Sequence, residues 1–319
     1  MKYVGIQSQI RNNNWKSILL LIAFPALIIA LVWLFFLIFK FWTADEQHYF
    51  SLDAVNQNFI FTIPWVSIGI TIWFLVAWFS HSAIIRKATG AKPLERKENK
   101  RVYNLTENLC MSQGMKMPKV YVIEDDSLNA YASGLSEKTY AVTLSRGIIN
   151  KLDDDELEGV IAHELTHIIN RDVRLLIVSI VFVGIFSFVT EIAFRSIRFG
   201  GGGGRKKDGG GAAIIIILIL GLIGLALSTV FRFALSRKRE YLADAGAAEM
   251  TKRPWALASA LKKVSNDPWI EAVKREDVAQ MFIDHPTKKK DRKGLSSFFG
   301  SAFATHPPIK KRIEILEQF

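Results

Sequence analysis

Residues 162–194 read AHELTHIINRDVRLLIVSIVFVGIFSFVTEIAF, and two signals of different kinds stand side by side in this stretch. The first is H-E-x-x-H at His163, Glu164 and His167. On a helix, residues four apart stand one turn above each other, so both imidazoles can meet one ion, with Glu164 about 100° round the axis. Such a set suits a metal-activated water whose proton the Glu takes. The bland alternative is an amphipathic helix with incidental histidines. With six His in 319 residues, chance assembly of the pattern is rare, roughly a per cent or less. The second signal is Leu175 to Phe194, which holds one charge, Glu191, and is long enough to cross roughly 30 Å of hydrocarbon at about 1.5 Å per residue. A metal-type helix that leads straight into a membrane span places its chemistry near a membrane surface.

Further out, the same apolar signal recurs. Ser17 to Phe39 and Ile60 to Phe79 carry no charge, nor does Ala212 to Val230, so four spanning helices are expected. The resulting division is an N-terminal segment and first span (1–41), an external loop (42–59), a second span (60–79) and a first part of a soluble domain (80–174). A third span (175–194), a glycine-rich basic loop (195–211), a fourth span (212–235) and a second soluble part (236–319) follow. The first block is too long for a signal-peptide core and has no small-residue cleavage site after it, so it reads as an anchor. Cys110 is the one cysteine, which excludes an intrachain disulfide and fits a reducing compartment; its expected role is a small apolar core residue.

The net charge of +11 would suit nucleic acid, but the basic residues flank the apolar blocks and no nucleic-acid motif accompanies them. Lys2, Arg11 and Lys16 precede the first span, the loop after it has Asp45, Glu46 and Asp53 without Lys or Arg, and residues 86–101 are strongly basic. The positive-inside rule then puts the N-terminus and the soluble domain in the cytoplasm. The loop GGGGGRKKDGGG at 200–211 is a flexible tip and not a phosphate cradle. Its charges run against the rule, which leaves a re-entrant hairpin as the alternative to two full spans.

Between the second and third spans, Val102, Leu105 and Leu109 recur at helix spacing before Gly114 and Pro118. The period then shortens in Lys119–Glu124, Ala130–Ser133 and Thr139–Leu144, which read as a small antiparallel sheet. Acidic residues in Lys151-Leu-Asp-Asp-Asp-Glu156 suit the start of the helix that carries His163. A catalytic zinc needs one more protein ligand, and Glu240, His285, His306 and Asp172 are the candidates. Glu240 is favoured because the hairpin of spans three and four returns it to the first ligands. Asp244, four residues on, could then accept a hydrogen bond from a ligand His. Taken alone, Glu240 in RKREY is an exposed acid of a charged helix.

These residues resemble the HtpX-type membrane zinc metalloproteases, more distant relatives of the CAAX prenyl proteases. The resemblance covers nearly the whole chain. It rests on Asn129-Ala-Tyr-Ala-Ser-Gly134, on His163-Glu-Leu-Thr-His167 with Asn170-Arg-Asp172, on Ser236-Arg-x-x-Glu240-Tyr-x-Ala-Asp244, and on Thr305-His-Pro-Pro308 with Arg312. It implies a mainly α membrane protein with four transmembrane helices and a cytoplasmic α+β zincin-like domain. One Zn2+ per chain is implied on His163, His167 and Glu240, with Glu164 as general base and Asp244 in support. Asn129 and Ala130 would lie on an edge strand that pairs with an extended substrate; otherwise they read as a turn before a strand. His306 and Arg312 would assist the oxyanion or hold the substrate; otherwise they belong to a proline turn and a surface helix. His285 and the basic run Lys288–Lys293 are assigned no chemistry.

The implied activity is peptide-bond hydrolysis of unfolded or misfolded membrane proteins at the cytoplasmic face of a bacterial inner membrane, as quality control under stress. Rival readings are a site-specific processing protease of the CAAX type and a non-enzymatic scaffold with a structural zinc. The latter favours a closed, cysteine-containing site, and Cys110 lies far from the motif. The bilayer and protein substrates are the expected partners, nucleic acid is not, and a homo-oligomer or a partner protease is compatible with the chain.

Overall fold

In the computed structural model the described residues are 6–44, 49–199, 210–234, 237–265 and 307–319. His285, His306, the basic run 288–293 and the glycine-rich tip at 200–209 lie outside them. The helices are α1 (Ile6–Trp42), α2 (Leu52–Thr89), α3 (Lys100–Ser112), α4 (Arg146–Lys151), α5 (Asp154–Ile169), α6 (Asp172–Phe199), α7 (Gly210–Ala234), α8 (Arg237–Thr251), α9 (Pro254–Val264) and α10 (Ile309–Leu316). The strands are β1 (Lys92–Pro93), β2 (Lys119–Ile123), β3 (Ala130–Ser133) and β4 (Ala141–Ser145). The chain divides into two compact units, one of Lys16–Phe79 with Val178–Arg232, the other of Met1–Trp15, Ser80–Ile177 and Phe233–Phe319.

The first unit is helical. Among the described residues, four helices are long and apolar enough to cross a membrane, and the four expected spans coincide with them apart from the last residues of the fourth. Their large apolar side chains face outward: Phe61, Trp65 and Phe79 are exposed, which is the stable arrangement when the solvent is hydrocarbon. Their mutual contacts are aromatic and hydrogen-bonded. Phe24 stacks on Phe182 at 4.6 Å, the Trp73 indole donates to the Val181 carbonyl at 3.1 Å, and Trp33 donates to Asn56 Oδ1 at 3.1 Å. Helix α2 begins at Leu52, well inside the segment read from sequence as loop. The chain is a multi-pass membrane protein.

The second unit carries the sheet, in the order β1-β2-β4-β3. The antiparallel expectation is corrected here, because the sheet is mixed. β1 pairs antiparallel with β2 and β3 with β4, but β2 and β4 run parallel, Val120 beside Val142 and Val122 beside Leu144. After β2 the chain crosses to the outer position, lays down β3 and returns through the loop 134–140, which inserts β4 between them. The burial pattern agrees: β4 is buried at all five residues and β2 at four, the near-continuous apolar run of strands covered on both faces.

Helix α5 is the axis of this unit. Its start is fixed by a capping box in which the Asp153 side chain accepts from the Glu156 amide and Glu156 accepts from the Asp153 amide, worth about 1 kcal/mol. Glu156 is also gripped by Lys263 at 2.6 Å and by the Ser259 hydroxyl at 2.7 Å, which pins α9 alongside. Leu157, Val160, Ile161 and Leu165 are fully buried. Two glycines let neighbouring helices approach closely: a Cβ on Gly159 would sit 3.2 Å from the Leu257 backbone, and one on Gly246 would sit 2.4 Å from Thr166 Cγ2. The second approach brings α8, and with it Glu240, against the His163–His167 face. Helix α5 ends at Ile169 with Asn170 as its cap, and Arg171 then takes a left-handed φ of 59° and turns the chain into α6.

Candidate metal centre

His163 and His167, one turn apart on α5, point their Nε2 atoms to within 3.2 Å of each other. From α8, Glu240 brings Oε2 to 3.8 Å from His163 Nε2 and Oε1 to 3.6 Å from His167 Nε2. Four zinc bonds of about 2.0–2.1 Å in a tetrahedron put neighbouring ligand atoms about 3.3–3.4 Å apart. The three observed separations bracket that edge, so the donors fit one ion with little adjustment. Charge balance agrees. Glu164, Asp172, Glu240 and Asp244 are buried beside the two histidines, and among the described residues Arg312 is the one buried guanidinium; such an excess of buried carboxylate calls for a cation. Among the described residues, these three donors form the one group suited to a metal.

Each imidazole is backed by an aspartate on its other nitrogen. Asp244 Oδ1 lies 3.0 Å from His163 Nδ1, and Asp172 Oδ2 lies 3.1 Å from His167 Nδ1. That arrangement holds the ring proton on Nδ1 and leaves the Nε2 lone pair to face an ion. Asp172, one of the four sequence candidates for third ligand, therefore acts on the far side of a ligand and is not one itself. The two rings differ in basicity. Burial lowers His163 to about 4 despite Asp244. Burial also pulls on His167, but the Asp172 hydrogen bond and the charges of Glu240, Asp172 and Glu164 outweigh it and hold the ring at about 9.

Glu164, 2% exposed, is pushed up to about 7 by burial, with the Glu240 charge adding to the effect, while the His167 charge and a hydrogen bond from the Ala132 backbone oppose it. A carboxylate near neutrality can both take and return a proton at working pH. The bond to Ala132 ties this helix to β3, the strand that holds Ala130. Asn129 caps that strand, its amide nitrogen bonded to Ser145 Oγ at 3.0 Å and its side chain accepting from the Ala130 amide at 3.0 Å.

Arg312 also belongs to this cluster. Carried by α10, it is wholly buried and donates from Nε and Nη2 to the two oxygens of Asp244 at 2.9 and 2.7 Å, with Nη1 3.5 Å from Glu240 Oε2. Its fork grips the carboxylate behind His163, where charge attraction to Asp244 raises the guanidinium pKa against burial, and Nη2 also lies 3.4 Å from His163 Nε2, so Arg312 supports the donor set directly. Burial raises and Arg312 lowers the Asp244 carboxyl, with a net result below the usual range. Sequence reasoning missed Asn13, which donates to Asp172 Oδ1 at 2.6 Å, since NNNW reads as a polar helix start.

Residues 96–319, more than two thirds of the chain, match the model of peptidase family M48. The chain belongs to that family. A protease HtpX homolog of Bacteroides fragilis is 60% identical over 100% of both chains. One of Listeria monocytogenes serovar 1/2a is 42% identical over 77% of this chain and 82% of its own. The crystal structure of S. mikatae Ste24p is 20% identical with a TM-score of 0.46, covering 83% of this chain, which spans 60% of that one. Membership of M48 and the HtpX relatives make the chain a membrane metalloprotease, and the His163, His167 and Glu240 cluster is its candidate metal centre.

Proposed function

We propose that this M48 chain is a zinc-dependent endopeptidase that hydrolyses peptide bonds of misfolded or damaged membrane proteins at the cytoplasmic face of a bacterial inner membrane, with one zinc per chain. The observation that carries the reading is the triangle of His163 Nε2, His167 Nε2 and the Glu240 carboxylate, with the buried Glu164 beside His163 on the same helix. Zinc on these donors supplies Lewis acidity to a water and to the scissile carbonyl. The protein supplies the rest. Glu164 takes the water's proton on its carboxylate and returns it to the leaving amine. Asp244 and Asp172 keep His163 and His167 in the metal-facing tautomer, and Arg312 keeps Asp244 charged.

The substrate would lie extended along β3, the outermost strand in the sheet order, in the β-augmentation mode. Its path would then run past Ala132, whose amide already meets Glu164. Asn129 and Ala130 are fully buried, so docking there entails an opening of that edge. His167, 14% exposed at its side chain, is the least buried of the three donors and marks the side from which substrate arrives. The cytoplasmic placement follows from the basic residues before the first span and after the second.

The test is zinc content and cleavage of casein or an unfolded membrane protein in detergent, for wild type and Glu164→Gln together. The variant is expected to hold one zinc and to lose turnover. Undiminished cleavage would refute the assignment of Glu164, and a wild type without stoichiometric zinc would refute the metal centre.

A further inference from the structure

The metal centre is backed on both sides, but the two backings come from different parts of the chain. Behind His163 stands Asp244, itself gripped by Arg312. Behind His167 stands Asp172, and its second oxygen is held by Asn13, a residue of the N-terminal segment that precedes the first span. Asn13 is 1% exposed. Its amide nitrogen donates to Asp172 Oδ1 at 2.6 Å and to the Asn170 carbonyl at 2.8 Å, which uses both of its N–H groups. Asn14 accepts from Arg171 Nη1 at 3.1 Å. Two consecutive asparagines thus clip the two-residue turn between α5 and α6, Asn170 and Arg171, at the point where Arg171 holds its left-handed φ.

Among the described residues, the Asp172 carboxylate is held by His167 on one oxygen and by Asn13 on the other. A carboxylate can swing about two bonds, and one oxygen on His167 leaves that rotation open. A donor on the other oxygen closes it. Buried polar chains of this kind pass orientation outward to inward: Asn13 fixes Asp172, Asp172 fixes the tautomer and ring plane of His167, and His167 then presents Nε2 to the ion. We propose that Asn13 is a positioning residue of the metal centre, acting through Asp172, so that the N-terminal segment is a working part of the site and not only a lead-in to the first span. This rests on the metal reading given above.

A purely structural tether is the competing account, and metal affinity separates the two. Zinc dissociation constants would be measured by chelator competition on the full-length protein in detergent, with the visible spectrum of the cobalt-substituted form as a second readout. Asn13→Ala is expected to weaken zinc about tenfold, the lower end of what partners behind metal ligands contribute, and to shift the cobalt bands. Asn13→Gln, which keeps the amide, is expected to recover part of the loss. In an Asp172→Ala background, Asn13→Ala should change zinc affinity by less than about twofold, because residues in one chain of contacts do not act additively. Equal zinc affinity and spectrum in wild type and Asn13→Ala would overturn the proposal, as would losses that multiply in the double variant. Should Asn13→Ala fail to fold, Asn13→Gln with wild-type affinity but no dependence on Asp172 overturns it equally. A wild type that binds no zinc overturns this inference and the metal reading together, whereas a zinc-binding wild type matched by Asn13→Ala overturns this one alone.

Discussion

Gly246 sets how near α8 comes to α5, and adding one methyl group there tests whether the metal centre depends on that approach. A Cβ at this position would meet Thr166 Cγ2 at 2.4 Å and Oγ1 at 2.9 Å. Ordinary carbon contacts begin at about 3.5 Å, so Gly246→Ala forces a separation of about 1 Å unless Thr166 gives way. Thr166 is buried and its hydroxyl is bonded to the Ala162 carbonyl at 2.8 Å, so it has little room. Overpacking of this size costs about 1–3 kcal/mol, offset by about 1 kcal/mol from the better helix propensity of Ala. Global stability should therefore fall only slightly. The metal centre should suffer more, because the Glu240 oxygens already stand 3.6 and 3.8 Å from the histidine nitrogens, at the wide end of a tetrahedral edge. Zinc affinity is expected to fall at least tenfold, with turnover falling in parallel when zinc is limiting. Thr166→Ala removes both obstructing atoms, so the double variant Gly246→Ala with Thr166→Ala should regain most of the zinc affinity. A single variant that binds zinc like wild type, or a double variant no better than the single, would refute the reasoning.

Arg312→Ala leaves the buried Asp244 carboxylate without its guanidinium, a loss of about 3–5 kcal/mol; the denaturant midpoint of the metal-free protein should drop accordingly, and an unchanged midpoint would count against the role. The proton on His167, held to about 9 without metal, must leave when an ion takes Nε2, so zinc loading at pH 7 should release about one proton. Apparent affinity should then rise roughly tenfold per pH unit between pH 7 and 9 and flatten above, which calorimetry in buffers of different ionisation enthalpy and metal-buffered titrations will show; a pH-independent affinity contradicts it. Burial pushes the Cys110 thiol up to about 11, so a maleimide at pH 8 should leave the native protein unlabelled and modify it after denaturation.

What the sequence reveals of this molecule follows from how local each signal is. The spans are legible because hydrocarbon demands about twenty apolar residues in a row, and the imidazole pair is legible because both ligands lie on one turn of one helix. Glu240 and Asp244 needed the hairpin argument, since RKREY alone reads as a solvated face. The parallel pairing of β2 and β4 is invisible locally: it depends on β3 lying outside β4, and nothing in KVYVI or AVTLS encodes a neighbour. A two-residue strand such as Lys92–Pro93 leaves no periodicity at all. Asn13 escaped the sequence reading, and the burial of Arg312 against Asp244 did too, for a shared reason. A basic residue in KKRIE and an asparagine in NNNW have the composition of exposed helix, and only the carboxylates at Asp244 and Asp172, far away in sequence, draw them inside.

The donor triangle is assembled from widely spaced parts of the chain, and translation supplies those parts in order. His163 and His167 leave the ribosome first, followed by the whole of α6 and α7, and Glu240 appears seventy-three residues after His167. At about 5–20 residues per second, that interval lasts roughly 4–15 seconds. During it the growing polypeptide holds two imidazoles without their carboxylate partner, and Arg312 is later still. A hydrolase whose reactive set is split in this manner stays silent while its own unfolded segments are most exposed, and gains its cutting power only once both intervening helices have been made.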